Sequence, residues 1–139
     1  MGLPKLESVT YDLTVPSSGD NVQFRPFVVK EEKVLLTALE SNDATQISRA
    51  MREIVRTCTF DKVQVGSLAM FDLEYIFLKL RAKSVGEVAD IGIKCTNKDC
   101  GHMNPIKVNI DEIEVSGDPK LEETIQLTDT IGVTVKAPT

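Results

Sequence analysis

Residues 71–87 read FDLEYIFLKLRAKSVGE, and they decide the predicted fold because a helix through them has two apolar faces. At about 100° per residue, a helix over residues 68–82 gathers a first arc of apolar side chains. The first arc consists of Ala69, Met70, Leu73, Ile76, Phe77 and Leu80. The second arc consists of Leu68, Phe71, Tyr75, Leu78 and Ala82. Charged stripes separate the arcs, so neither arc is the solvated back of an ordinary surface helix. The stripes are Asp72, Lys79 and Lys83 on one side and Glu74 with Arg81 on the other.

Both arcs of this helix must be covered by something. Either the chain's own sheet and helices cover both of them, or one arc is kept for another protein. In the second case, the arc that carries Leu68, Phe71, Tyr75 and Leu78 is the predicted partner contact. We expect Ser67 to cap the start of the helix and Gly86 to close its end with a left-handed residue.

The segment before this helix predicts a β-hairpin followed by two helices. Apolar and polar residues alternate over residues 9–15, PSSGDN at residues 16–21 favours a turn, and residues 22–27 return as a second strand. Val34, Leu35, Ala38 and Leu39 fit a short helix over residues 30–40, which the cap-type residues 41–43 interrupt. The next helix carries one apolar stripe, made of Ile47, Ala50, Met51, Ile54, Val55 and Cys58.

Arginines line the opposite side of that second helix. Arg49, Arg52 and Arg56 could dock an acidic neighbour, although a solvated charged face is the commoner meaning of such a pattern. Both interpretations stay open at the level of the sequence.

After Gly86 the period changes to that of strands. Ala89, Ile91, Ile93 and Cys95 share one side of a strand, and Ile106, Val108 and Ile110 share one side of another, with a hairpin loop over residues 96–104. Residues 111–123 are rich in acids and predict an exposed connection, after which residues 125–136 alternate again. The predicted fold class is therefore α+β: an N-terminal β-hairpin, three helices, a second β-hairpin and a C-terminal strand region, in a single domain over residues 1–139.

Composition narrows the function classes. The 139 residues have a net charge of -5 and a pI near 4.9, which argues against a nucleic-acid backbone as the main partner. No apolar run approaches the roughly 20 residues that cross a bilayer, so we expect no membrane partner. Three cysteines and an amino terminus, MGLPKLES, without the apolar stretch of a secretory signal favour a reducing cytoplasm.

Cys95, Cys100 and His102 form the only metal-like cluster of the sequence, in CTNKDCGH. Two thiolates and an imidazole suit zinc, but a closed site needs a fourth ligand and no second cysteine pair follows. Cys58, the remaining thiol, lies on a buried stripe. We therefore favour a hairpin turn and no cofactor, with zinc at this loop as the alternative.

The sequence offers no arrangement typical of an active site. His102 is the only histidine, the carboxylates are scattered over turns and exposed faces, and no glycine-rich phosphate loop is present. We predict no catalytic residues and no enzymatic activity.

A family resemblance rests on FDLEYIFLKLRAKSVGE, on the cysteine turn from Cys95 to His102 and on the closing IQLTDTIGVTVKAP. These stretches resemble the baseplate hub assembly family of T-even-type contractile-tailed phages, over residues 24–139. Longer members of that family continue past the point that corresponds to Thr139, which implies a fragment or a short form.

The resemblance implies a structural or assembly protein of the baseplate hub, whose partners are hub or tail-tube proteins. It also implies a place in the host cytoplasm during assembly and in the virion tail if the protein is retained, and it allows a symmetric oligomer. A permanent component and a departing assembly factor both fit. The alternative function is a zinc-knuckle adaptor that binds nucleic acid or protein through the second hairpin.

Overall fold

The computed structural model describes residues 8–119 and 122–139, which form three helices and six strands. The predicted α+β class is confirmed. Residues 1–7, which the single-domain prediction includes, lie outside the described residues. In chain order the elements are β1 (Tyr11–Thr14), β2 (Asn21–Phe24), α1 (Val29–Glu40), α2 (Ala44–Cys58), α3 (Met70–Val85), β3 (Val88–Lys94), β4 (Met103–Asn109), β5 (Glu122–Gln126) and β6 (Gly132–Lys136). The described strands pair as three antiparallel hairpins: β1 with β2, β3 with β4 and β5 with β6.

The main core lies where hairpin β1–β2 packs on α2 and α3. The alternation predicted for the first strands puts Leu13, Val22 and Phe24 inside, because alternate side chains of a strand point to the same face. The backbone N–H of Arg25 donates to the carbonyl of Cys58 at 3.0 Å and so joins the end of β2 to the end of α2. The core cluster consists of Leu13, Val15, Val22, Phe24, Phe27, Ile54, Val55, Cys58, Leu73, Ile76 and Leu80.

The two arcs of α3 are covered to different degrees. Leu73, Ile76 and Leu80 of the first arc are fully buried in the core. Of the second arc, Ala82 is buried but the four larger side chains are half-buried. The chain thus covers most of the first arc, in which Met70 and Phe77 stay half-buried, and covers the second arc in part. The half-buried side chains are Leu68, Phe71, Tyr75 and Leu78.

Both ends of α3 differ in detail from the prediction. The helix begins at Met70, and the Ser67 hydroxyl donates to the carbonyl of Gln64 instead of capping it. The Met70 N–H donates to the carbonyl of Pro138 at 2.8 Å, so residues close to the carboxyl end satisfy the start of the helix. Gly86 does follow the helix with a positive φ of 139°, in an extended backbone region open to glycine and not in the left-handed helical region.

The acidic connection is shorter than predicted. Strand β5 already begins at Glu122, so Glu122 and Glu123 belong to a third hairpin, in which they lie opposite Lys136 and Val135. Because Glu122 lies opposite Lys136, a residue of opposite charge, an acid is tolerated at the start of this strand. Residues 120 and 121, which the predicted connection includes, lie outside the described residues.

Among the described helices, none combines the length and the apolar character that a membrane span requires.

Candidate protein-binding surfaces

Hairpin β3–β4 extends from the body of the molecule, and much of the hairpin's own apolar face is not covered by other described residues. Ile110, just after β4, is buried, and Val108 is half-buried. Farther along the same face, Ile91, Ile93 and Ile106 are 46%, 51% and 42% exposed. Ile91 and Ile106 are directly opposite in the register, so they form one continuous apolar surface. The apolar side chains of this face therefore become less buried from the base of the hairpin toward its tip.

Hairpin β5–β6 repeats this arrangement. Ile125 lies opposite Val133, and Val135 lies on the same face beside Glu123. The three apolar side chains are between 43% and 48% exposed. The predicted C-terminal strand region is thus a second amphipathic hairpin whose apolar face the described part of the chain does not bury.

Charged groups of α3 fix the base of hairpin β3–β4. Lys83 Nζ lies 2.7 Å from a carboxylate oxygen of Glu87 and 3.0 Å from one of Asp111, and these bonds raise the pKa of Lys83 to about 12. Lys79 Nζ donates to the carbonyl of Asp111. The Ile110 N–H donates to the carbonyl of Glu87 at 2.7 Å. These contacts hold the two ends of the hairpin against the end of α3, while its tip projects away.

The second arc of α3 contains the four residues predicted to contact a partner. All four side chains are half-buried, and Leu68, which lies just before the start of α3, also packs against the molecule's own core. Lys79 Nζ lies 5.2 Å from the centre of the Tyr75 ring. Burial, with the carboxylates of Glu114 and Asp111, raises the pKa of Tyr75, so its phenol stays neutral. The arc presents a smaller apolar surface than the sequence pattern indicates.

Asp72 does not belong to a solvated charged stripe. Its side chain is fully buried, and it accepts hydrogen bonds from the hydroxyl of Ser17 at 2.5 Å and from the backbone N–H of Ser17 at 3.1 Å. These bonds fasten the turn of the first hairpin to the first turn of α3. The sequence does contain a signal for the structural role of Asp72. It is an acid in the first turn of α3, where the helix dipole favours negative charge.

The three arginines of α2 do not act as one surface. Arg52 Nη1 donates to the carbonyl of Val65 at 2.6 Å, and Arg56 pairs with Glu53 and with Asp61. Arg49 is exposed and lines a groove between α1 and α2. Of the three, only Arg49 has a side chain that no described residue engages.

The loop of Cys95, Cys100 and His102 is a hairpin turn. The Cys95 N–H donates to the carbonyl of His102 at 2.8 Å, and the Cys100 N–H donates to that of Asn97 at 3.1 Å. Gly101 supplies the positive φ of 59° that the turn needs. Within residues 8–119 and 122–139, no three His, Cys, Asp or Glu side chains are placed to hold a metal ion, so the zinc-knuckle alternative gains no support.

Cys58 is fully buried at the end of α2, as its place on the apolar stripe predicts. Burial raises the pKa of its thiol to about 11, which keeps the thiol protonated and unreactive at neutral pH.

Comparison with known proteins adds the family. The family model described as T4 bacteriophage base plate protein matches residues 8–139, nearly the whole chain. Comparisons with curated proteins and with solved structures gave no match. The family match agrees with the resemblance of the motif in α3 and with a fold that leaves apolar faces for neighbours. The chain therefore belongs to the T4 bacteriophage base plate protein family.

Proposed function

We propose that the chain acts in the hub of a contractile-tail baseplate, as a structural or assembly protein that works through protein–protein contacts and performs no catalysis. Family membership supports a place in the baseplate of the phage tail, where the chain associates with other tail or baseplate proteins. The proposed partners are hub or tail-tube subunits, first met in the host cytoplasm during assembly. The proposal requires neither a cofactor nor nucleic acid.

The observation that carries this proposal is the uncovered apolar face of hairpin β3–β4. An isolated two-stranded hairpin is at best marginally stable in water. Exposed apolar patches on soluble proteins commonly mark interaction sites. Covering the exposed half of Ile91, Ile93 and Ile106 would contribute about 1 kcal/mol for each side chain. Among the described strands β3 and β4 pair with each other alone, so their outer edges are also open to a partner strand.

The half-buried arc of α3 is proposed as a secondary contact. Phe71, Tyr75 and Leu78 keep part of their surface in solvent, whereas Leu68 already packs against the core and would add less. The arc lies near the base of hairpin β3–β4, since Lys79 and Lys83 of the same helix hold Asp111. A partner on the hairpin face could therefore extend toward α3.

The test is co-migration with purified hub subunits in size-exclusion chromatography. We expect the wild-type chain to shift into the complex at micromolar concentrations. The double variant Ile91→Glu with Ile106→Glu, which puts two charges on the apolar face, should lose the shift. The matched control exchanges a cross-strand pair on the other face, Asp90→Lys with Lys107→Asp, and should keep it.

Absence of a shift for the wild-type chain, or an equal loss in both double variants, would count against the proposal. Circular dichroism of each variant excludes a folding defect. Mass spectrometry of purified particles then assigns the role: a chain found in virions is a permanent component, and a chain that binds hub subunits but is missing from virions is an assembly factor.

A further inference from the structure

Helices α1 and α2 border an open groove, and no residue of hairpin β3–β4 or β5–β6 lines it. Residues 41–43 join the two helices, which pack on each other as a helical hairpin. Asp43 caps α2 by accepting from the Thr45 N–H at 2.9 Å. The groove has a volume of about 990 Å³. It is lined by Lys30, Lys33, Val34, Thr37 and Ala38 of α1, by Asp43, and by side chains of α2 between Thr45 and Glu53.

The floor of the groove is apolar and shallow. Val34 is 44% exposed, although the sequence pattern puts it on the buried face of α1. Ala38 and Ala50 also line the groove, and both of these small side chains are buried. An apolar floor between two helices is typical of a site for a third amphipathic helix.

The charges along the rim are unbalanced. Lys30, Lys33 and Arg49 line the groove, and their side chains have neither an ion pair nor a hydrogen bond within the described ranges. The two acids of the rim are already engaged: Asp43 by the Thr45 N–H and the Gln46 side chain, and Glu53 by Arg56 at 2.7 Å. This protein has a net negative charge, yet at this groove it presents three unneutralised cations around an apolar floor.

We propose that this groove binds an acidic amphipathic helix of another protein of the baseplate. The apolar side of that helix covers Val34 and the two alanines, and its acids flank the rim cations. Residues 30–38 rise about 12 Å along α1, a length that slightly more than two turns of a partner helix span. The inference rests on the proposed function only in taking the occupant to be a tail protein.

A protein partner fits the groove better than a nucleic acid. Binding to a phosphate backbone relies on several clustered cations facing a polar strand. Here three cations surround an apolar floor that a phosphate chain would leave uncovered. Charge complementarity with an apolar centre is instead the arrangement of a protein interface.

The test uses fluorescence polarisation with a labelled 16-residue helical peptide. Leucines at i, i+3, i+4 and i+7 form its apolar side and glutamates flank them. Its twin carries lysine at every glutamate. We expect the acidic peptide to bind at least about tenfold more tightly than the twin, a difference of about 1.4 kcal/mol. The double variant Lys33→Glu with Arg49→Glu should weaken acidic-peptide binding by at least the same factor.

The matched control is Lys107→Glu with Lys136→Glu, two lysines of the hairpins, which should change binding less than about twofold. No binding of the acidic peptide at 100 micromolar (about the range of weak helix-groove contacts), equal binding of both peptides, or an unaffected Lys33/Arg49 variant would overturn the inference. So would a DNA gel shift that this variant abolishes, or a wild-type oligomer that it dissociates, since the groove would then serve nucleic acid or a second copy.

The two proposals fail separately. The variant Ile91→Glu with Ile106→Glu should keep peptide binding in the groove while losing the hub complex. Peptide binding without any hub complex removes the proposed function and leaves the groove as a site for an acidic helix. A hub complex that persists while the peptide fails to bind removes the groove inference alone.

Discussion

At the scale of single residues, Glu31 links the first hairpin to α1. Arg25 Nη2 donates to one carboxylate oxygen at 2.9 Å, and the Val28 N–H donates to the other at 3.0 Å. Burial opposes ionisation of this carboxyl, but the bonds from Arg25 and Val28 outweigh it and hold the pKa of Glu31 below its ordinary value. Glu31 thus caps α1 and neutralises a half-buried arginine at the same time.

The lowered pKa predicts a dependence of stability on pH. Because the folded chain binds this proton less readily than the unfolded chain, the contribution of Glu31 is complete above the unfolded pKa, about 4.3. It is lost as the pH falls through the folded value. The stabilities of the wild type and of Glu31→Gln in urea unfolding should therefore differ most at about pH 6 to 7, and the difference should shrink as the pH falls through the folded pKa of Glu31. A constant difference over this range would contradict the prediction.

Residue roles of this kind were the hardest to predict from the sequence. Helical spacing put Asp72 between two apolar arcs, but its partner Ser17 lies 55 residues away in a turn. Nothing in a local pattern shows which distant turn will fold over a carboxylate. Likewise, the pattern marked Arg49, Arg52 and Arg56 as one group, and only tertiary structure shows that Arg52 binds the Val65 carbonyl.

At the scale of elements, Gly86 sets the direction in which hairpin β3–β4 leaves α3. Its φ of 139° and ψ of 153° lie in a region that is essentially closed to residues with a Cβ. We expect Gly86→Ala to lower the free energy of unfolding by about 1–3 kcal/mol, although a Cβ there would meet no atom within 4 Å. The penalty is therefore one of backbone conformation and not of packing.

The matched control is Gly66→Ala, which also has open space around the added Cβ but no positive φ. It should leave stability unchanged or raise it by a few tenths of a kcal/mol, because alanine restricts the unfolded chain. Equal effects of the two variants in urea unfolding would refute the role assigned to Gly86.

Element types were well predicted because periodicity reports them directly. Apolar residues at a period of about 3.6 predicted all three described helices, and alternation of apolar and polar residues predicted the first two hairpins. The third hairpin was predicted only as a strand region, since the acids at its start resemble a solvated connection. Alternation cannot show whether an apolar strand face is covered, because the same pattern serves a buried face and an exposed one.

At the scale of the whole molecule, the core is concentrated in the first hairpin and the helices, and the later hairpins extend from it. Residues of the core cluster all lie between Leu13 and Leu80. Apolar side chains of hairpins β3–β4 and β5–β6, among them Ile91, Ile106 and Ile125, are about half exposed to solvent. A baseplate protein built this way has a firm body and two projecting surfaces that neighbours in the tail can complete.

Family membership could be predicted because the LRAKSVGE run and the cysteine turn are specific, and the family match confirms it. The extent to which the chain covers its own apolar faces could not be predicted. The sequence put the predicted partner contact on the second arc of α3, and the structure leaves that arc half-buried and apolar side chains of the hairpins about half exposed. That extent depends on how the chain packs over distances that no local spacing encodes.

Hydrogen–deuterium exchange of the free chain and of its complex with hub subunits tests the central claim most directly. In the free chain, amides of β3 and β4 should exchange faster than those of α2 and α3, because a two-stranded hairpin outside the core opens locally. In the complex, residues 88–94 and 103–109 should become protected while α2 changes little. A complex that forms with these strands exchanging as fast as in the free chain would contradict the account.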